Sequence, residues 1–422
     1  MILIHGKMID STVENIYTDH LYEDCIKTLN GPHTLTTSMV IDACDVLYQQ
    51  VISGVYDEMA KPLLERANIS QQRFMEMAKL FSKEELEYKC KVELGEDYEK
   101  LSALKSDTKR KICPQGILFH IAAGNVDGLP AYSVIEGLLV GNINILKLPG
   151  SDNGFSVALL SELIKVEPLL KDYIYVFDVP SIETVTLKKF VDIADCVVVW
   201  GGDEAVEATK HMTDTKTKVV SWGHKLSFAY VTENATDNQL FDLAKHICET
   251  NQVLCSSCQG IFLDLAPGED KQLYEFAEYF FKMMKEANRQ VGKTDIGMRG
   301  KNTIRLYNDR LEAKSGIKIY NEEGVSVMVK NDSELELSYL FRNVWIKALP
   351  RKSIVQNLKK HKGHLQTCGL ICGEDERMDL ADLLAKAGLL RITKGNMSRM
   401  YVGEAHDGCY PLREYSRIVE ID

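Results

Sequence analysis

Between Ile117 and Trp200 the chain repeats one pattern: a short apolar run, a turn of small residues, then a segment with helical spacing. The apolar runs are Ile117–Ile121, Ile143–Leu148, Ile174–Phe177 and Cys196–Trp200, and the stretches Tyr132–Leu139, Phe155–Lys165 and Ile182–Asp192 separate them. Strands that alternate with helices in this way pair in parallel, because each helix supplies the crossover that a parallel pair needs. The expectation is a doubly wound α/β fold. After Trp200, the turn Gly201-Gly202 leads into a helix near Asp203. Two glycines between strand and helix let backbone N–H groups and the helix N-terminus face a phosphate. Asp203 is expected to cap that helix.

The 422 residues suffice for two domains with full-sized cores. Residues 1–110 read as mainly helical after a short opening strand. Thr37–Ile52 and Gln71–Leu80 carry apolar residues at three- and four-residue spacing. Ser82-Lys83-Glu84-Glu85 has the form of a helix-start box. Leu94–Lys111 is charged and without period, and reads as a linker or exposed arm. Val219–Val231 reads as strand, glycine-containing turn, strand, where a domain crossover can lie. Later come a long amphipathic helix over Lys271–Asn288, strands at Val325–Val329, Trp345–Leu349 and Leu370–Cys372, and a helix over Leu380–Ala387.

The chemistry concentrates in Asn251-Gln252-Val253-Leu254-Cys255-Ser256-Ser257-Cys258-Gln259-Gly260. It follows a predicted helix, Asp237–Glu249, and precedes an apolar strand, Ile261–Leu265. A cysteine held between helix and strand can keep its sulfur accessible, and a thiolate readily forms thioesters. Cys255 is therefore a candidate nucleophile. Other readings of these residues are a core thiol, a redox pair of Cys255 with Cys258, and half a zinc site with Cys368 and Cys372 as a second thiol pair. The spacing of that second pair is not the usual one and no near histidine completes it, so no metal is expected.

Composition excludes some functions. Eleven cysteines, an odd number at scattered spacings, do not form a disulfide framework and fit a reducing, cytoplasmic setting. A net charge of −11 argues against general nucleic-acid binding, though not against an anionic cofactor at a local positive site. No apolar run approaches a membrane span.

Three stretches in order resemble the aldehyde dehydrogenase superfamily and, within it, the LuxC-type acyl-CoA reductases. They are Pro114-x-Gly116 through Gly124-Asn125 to Leu146-Lys147-x-Pro149; Trp200-Gly201-Gly202 with Gly223-x-Lys225-Leu226-Ser227; and Asn251-Gln252-x-x-Cys255-x-Ser257-x-Gln259. Leu365-Gln366-Thr367, Arg391-Ile392-Thr393 and His406-Asp407-Gly408 support them, although on local grounds the last is simply a turn. The resemblance implies a Rossmann-type cofactor domain over residues 1–225, an α/β catalytic domain over 226–400, and a tail, 401–422, packing back on the cofactor domain or a partner subunit. It implies that Cys255 carries the acyl group and that Asn125 donates to the oxyanion. Lys147, with Pro149 and Gly150 after it, would meet the adenosine ribose. Trp200, Gly201, Gly202, Ser221 and Gly223 would line the cofactor, and His406 and Asp407 would lie near the substrate. Gly150 stands where NAD-preferring relatives place a carboxylate, so the resemblance implies NADPH, with NADH still open.

The instructive departure is Ser221-Trp222-Gly223-His224-Lys225, where aldehyde-oxidising relatives read Glu-Leu-Gly-Gly-Lys. A serine hydroxyl cannot act as the general base that hydrolyses an acyl-enzyme, although His224 is a second candidate for that role. The resemblance therefore implies reduction of an acyl-CoA or other fatty acyl thioester to the aldehyde. Oxidation of aldehydes and reduction of acyl phosphates are the alternatives within the superfamily, and a non-catalytic scaffold subunit is the alternative outside it. It further implies a homo-oligomer, dimer or tetramer, and an acyl-protein synthetase as partner.

Overall fold

A computed structural model of the protein describes all residues except 32–34, 68–70, 104–106, 125–127, 267, 293–295, 312–316 and 400. The chain divides into two compact units, Met1–Gly223 with Tyr401–Asp422, and His224–Met400. Each unit is built on a seven-stranded sheet.

The strands of the first unit are β1 (Ile2–Ile4), β2 (Lys7–Ile9), β3 (Ser102–Ala103), β4 (Lys109–Pro114), β5 (Ile117–Ile121), β6 (Ile143–Lys147), β7 (Ile174–Phe177), β8 (Cys196–Trp200) and β9 (Lys218–Trp222). The main sheet has the order β2-β1-β7-β6-β5-β8-β9 and is parallel from β7 to β9. The opening segment is a hairpin, and β1 lies antiparallel to β7. Chain order reverses between β5 and β8, the switch point at which open α/β sheets bind ligands. Alternation fixes the faces. Ile117, Phe119 and Val197 enter the large core shared with the N-terminal helices. Leu118, Cys196, Val198 and Trp200 enter a smaller cluster closed by Tyr415.

Three local expectations differ. Ser82 precedes the helix Lys83–Leu94, but its side chain makes no capping bond and its hydroxyl is buried without a partner. Gly202, not Asp203, is the N-cap of the helix Asp203–Met212. The stretch Leu94–Lys111 is not a plain linker. It holds β3 and the start of β4, which pairs with β17 (Ser416–Ile421) in a three-stranded sheet. Lys109, Arg110 and Lys111 are all exposed, so β4 carries no apolar alternation from which to read a strand.

The second unit contains β10 (Leu226–Val231), β11 (Cys258–Leu263), β12 (Ile317–Glu322), β13 (Val325–Lys330), β14 (Asn343–Ala348), β15 (Leu365–Ile371) and β16 (Arg391–Thr393), in the order β12-β13-β14-β11-β10-β15-β16. All pairs are parallel except the β12–β13 hairpin. Ala229, Val231, Ile261 and Leu263 pack under the helices Asp237–Thr250 and Asp270–Val291, and Phe228, Tyr230 and Phe262 pack on the opposite face. A helix over Ile296–Leu311, which the sequence pattern does not single out, completes the unit.

Candidate active site

The helix Asp237–Thr250 starts with a complete capping box between Thr236 and Gln239. It ends at Asn251 and Gln252, both left-handed with φ of 47° and 63°. Right-handed crossovers return the chain to the amino edge of a parallel sheet, so the loop 251–257 lies at the amino end of β11. Open α/β sheets usually bind ligands at the other end.

Two glutamines hold the loop. Gln252 Nε2 donates to Cys258 O at 3.0 Å and to Asn343 O at 3.1 Å, and Gln252 Oε1 accepts from Asn343 N at 2.9 Å. Gln259 Nε2 donates to Gln252 O at 3.0 Å, and its Oε1 accepts from Ser338 Oγ at 2.8 Å. Ser227 Oγ donates to Cys255 O at 2.7 Å and accepts from Thr367 N at 3.1 Å. Leu254 N donates to Ser257 Oγ at 3.0 Å. Within this frame Cys255 is exposed, while residues 256–260 are buried.

The neighbouring thiols differ. Cys258 faces the core, its Sγ directed to Gly260 O at 3.2 Å, and burial pushes its pKa up to about 12. Cys368 is buried on the other face of the sheet, and burial raises its thiol well above the usual range. These are neutral core thiols, not the exposed, low-pKa type that reacts. Among the described residues no group of three or more His, Cys, Asp or Glu is arranged to hold a metal ion. His224 is half-buried beside the His364 ring, with centroids 6.0 Å apart, and its carbonyl accepts from His364 Nδ1 at 3.1 Å.

In the first unit the cofactor candidates gather at the carboxyl ends of the strands. Lys147 ends β6, is buried, and donates from Nζ to Ser181 Oγ at 2.9 Å. Burial lowers its pKa, and Asp178 opposes that shift. Pro149 and Gly150 follow, and space around Gly150 is open where a Cβ would project. At Gly124 a Cβ would meet the Cβ atoms of Pro149 and Ser151 at 3.1 and 3.2 Å and would turn aside the Ser151 hydroxyl, which donates to Gly124 O. Asn125 lies outside the described residues. Gly201 N donates to Trp222 O at 3.2 Å, and Gly202 heads its helix with no side-chain cap and open space where a Cβ would project. Ser221 is exposed on β9, and Gly223 is half-buried just after that strand. A glycine turn at a helix N-terminus, open space, and a lysine held by a hydroxyl are groups that can hold the pyrophosphate and ribose of a nicotinamide dinucleotide.

His406 packs against Trp200 and Trp222, with ring centroids 5.1 and 5.0 Å away, and its Nε2 is 3.9 Å from Asp407. Paired backbone bonds between His406 and Cys409 close the turn, and Asp407 is left-handed. Both residues thus belong to the unit that carries the glycine turn. Trp200 Nε1 donates to Ser133 Oγ at 3.1 Å, and that oxygen lies 2.8 Å from His120 Nδ1. Burial lowers the His120 pKa to about 4, so the ring is neutral. Ser338, Asn343, Ser151 and Ser181 were not legible as site residues, since each acts on a partner distant in sequence and stands in no motif.

A family model described as acyl-CoA reductase (LuxC) matches residues 34–418. A long-chain acyl-protein thioester reductase of Vibrio harveyi is 26% identical over 317 residues, 72% of this chain and 64% of that protein. The protein so named in Aliivibrio fischeri is 26% identical over 328 residues, 75% of this chain and 66% of its own. The aligned part thus spans about two thirds of the length of these relatives. A betaine aldehyde dehydrogenase of Staphylococcus aureus, solved with NAD+, superposes with a TM-score of 0.77 at 11% identity, covering 100% of this chain and 96% of the other. A glyceraldehyde-3-phosphate dehydrogenase of Methanocaldococcus jannaschii, solved with NADP, gives 0.68 at 14% identity, covering 98% and 95%. The fold is that of the aldehyde dehydrogenases.

Proposed function

The chain belongs to the acyl-CoA reductase (LuxC) family, and from that premise we propose that it reduces a fatty acyl thioester to the aldehyde through an acyl group carried on Cys255. The observation that carries this reading is the contrast in the nucleophile loop: Cys255 is exposed within a backbone held from several sides, while Cys258 is sealed in the core. In the proposed reaction the Cys255 thiolate forms a C–S bond to the acyl carbon, the bond from that carbon to the donor's sulfur breaks, and the donor leaves as a thiolate that takes up a proton. A reduced nicotinamide, when bound, supplies the hydride. The C–S bond to Cys255 then breaks as the aldehyde carbonyl forms, and the thiolate is restored. We assign the Asn125 amide to the developing oxyanion on the strength of its motif. Ser221 offers no base to direct water at the thioester, which favours reduction over hydrolysis and leaves His224 as the other candidate base of that segment.

The donor is acyl-CoA or an acyl group presented by a partner protein, the second in keeping with the relatives named acyl-protein thioester reductases. Incubation with labelled acyl-CoAs of varied length, without and then with NADPH, tests the reading by the mass of the Cys255 peptide. A mass gain of one acyl group that disappears on adding NADPH, with aldehyde released, is expected. Release of free acid without CoA would restore the oxidising alternative, and acylation from acyl phosphate alone would favour the third reading.

We assign Lys147 and Ser181 to the ribose end of NADPH, and Gly201, Gly202 and the helix N-terminus to its pyrophosphate. A lysine bonded to a phosphate contributes about 1.5–3 kcal/mol. Lys147→Ala should therefore weaken NADPH binding roughly 10- to 100-fold and NADH binding far less, as read by fluorescence titration. Gly150→Asp should shift preference toward NADH, since the new carboxylate repels a 2′-phosphate. Equal losses for both nucleotides in Lys147→Ala would remove the assignment.

A further inference from the structure

Leu340, Phe341 and Arg342 are consecutive residues with φ of 58°, 49° and 70°. One bulky residue in the left-handed region is an outlier, and three in a row are held only where surrounding contacts over-determine them. Here the contacts lead to the nucleophile loop. Phe341 N donates to Asn251 O at 2.8 Å. The Arg342 guanidinium is buried, and its Nε donates to Asn251 Oδ1 at 3.1 Å. Its second arm donates to Gly292 O at 2.7 Å and to Asn288 Oδ1, at the end of the helix Asp270–Val291. Asn343 and Ser338, on either side, hold Gln252 and Gln259. A strained strap thus grips the two left-handed residues, Asn251 and Gln252, from which the chain turns toward Cys255.

We propose that Arg342 is the positioning residue of the nucleophile: its guanidinium fixes Asn251 against a second helix and so sets where the Cys255 sulfur stands. The arrangement explains why a large cation is buried beside an apolar strand. Asn251 ends its helix in a conformation that most residues avoid, and a rigid planar fork holds it there where a flexible ammonium would not. The proposal rests on the reading of Cys255 as the acyl carrier, and its test separates the two.

The experiment uses the full chain with Arg342→Ala, Arg342→Lys, Asn251→Ala and the Arg342→Ala/Asn251→Ala double variant. The readouts are the single-turnover acylation rate of Cys255, the pH profile of its alkylation by iodoacetamide, and NADPH affinity. Misplacing a reacting group by about 1 Å costs on the order of 100-fold in rate. Arg342→Ala should acylate roughly 30- to 100-fold more slowly with NADPH affinity unchanged. The double variant should lose no more than Arg342→Ala alone, because one interaction is removed twice. Millimolar guanidinium should restore part of the rate in Arg342→Ala and none in the parent, while Arg342→Lys should remain slow. Wild-type acylation by folded Arg342→Ala, or losses that multiply in the double variant, would overturn the proposal. If Arg342→Ala does not fold, Asn251→Ala and Arg342→Lys decide, and parent rates in both overturn it. If the parent protein accepts no acyl group from any thioester, the functional reading fails. The alkylation profiles of parent and variant, which need no acyl donor, still decide the position of Cys255.

Discussion

Cys255→Ala should take up no acyl label, and aldehyde formation should fall by about 10⁴-fold or more, since removal of a covalent nucleophile leaves only binding and oxyanion stabilisation to act. The variant should fold as the parent does. Cys255 is exposed, and the loop is held through its backbone carbonyl and through Gln252 and Gln259, none of which the substitution touches. Unfolding free energies within about 1 kcal/mol of each other are expected, because the contacts that hold the loop are made by its backbone and by Gln252 and Gln259. Labelled acyl groups found on another residue, with aldehyde still released at the parent rate, would dispose of the mechanism.

The largest effect on stability is expected at Lys89. Its ammonium is buried between two carboxylates, 2.5 Å from Glu93 Oε1 and 2.9 Å from Glu136 Oε1, and lies 5.8 Å from the centre of the Tyr132 ring. Glu93 Oε2 also accepts from Leu412 N at 2.8 Å, so the group ties the helices Lys83–Leu94 and Leu129–Leu139 to the C-terminal segment. Burial alone would lower the Lys89 pKa, but Glu136, Tyr132 and Glu93 together raise it far above the ordinary range. Its charge is therefore present at every working pH. Lys89→Met leaves two carboxylates buried without their cation and should cost about 3–5 kcal/mol, a fall in Tm of roughly 10 °C.

The loss should depend on pH. Burial raises the Glu136 pKa from 4.5 to about 7, with Lys89 pulling it down and Glu93 pushing it up. A carboxyl whose folded pKa lies above its unfolded one contributes stability that is full below 4.5 and lost as pH rises through 7. The parent should therefore lose stability between pH 5 and pH 8, and Glu136→Gln should flatten that slope. Lys89→Met should be weaker at pH 8 than at pH 6, where Glu136 can take up a proton. Denaturant titrations at the two pH values measure both, and a Lys89→Met variant as stable as the parent at pH 8 would show that the ion group is dispensable.

How much was legible depended on distance along the chain. The succession of strands β5 to β8 along the chain could be read from period and turn residues, because each apolar run and helical stretch lies within a few residues of its own boundary signals. Helix Thr37–Ile52 matched its expected limits for the same reason. Strand β4 could not be read, since its exposed lysines and arginine satisfy no alternation and its partner β17 stands about 300 residues later. The Ser82 box marked the start of the helix Lys83–Leu94, but sequence spacing permits a cap without placing the hydroxyl on the amide.

The sequence by itself determined that parallel sheets would form, that a thiol would stand between a helix and a strand, and that glycines would open a turn between a strand and a helix. Those facts follow from residue type and local spacing. Only the tertiary structure decided which thiol is exposed and which is sealed, that Arg342 reaches Asn251 across 91 positions, and that Lys89 meets Glu136. The physical reason is that burial and hydrogen-bond pairing depend on what packs around a residue, and those neighbours come from strands and loops that sequence spacing does not join.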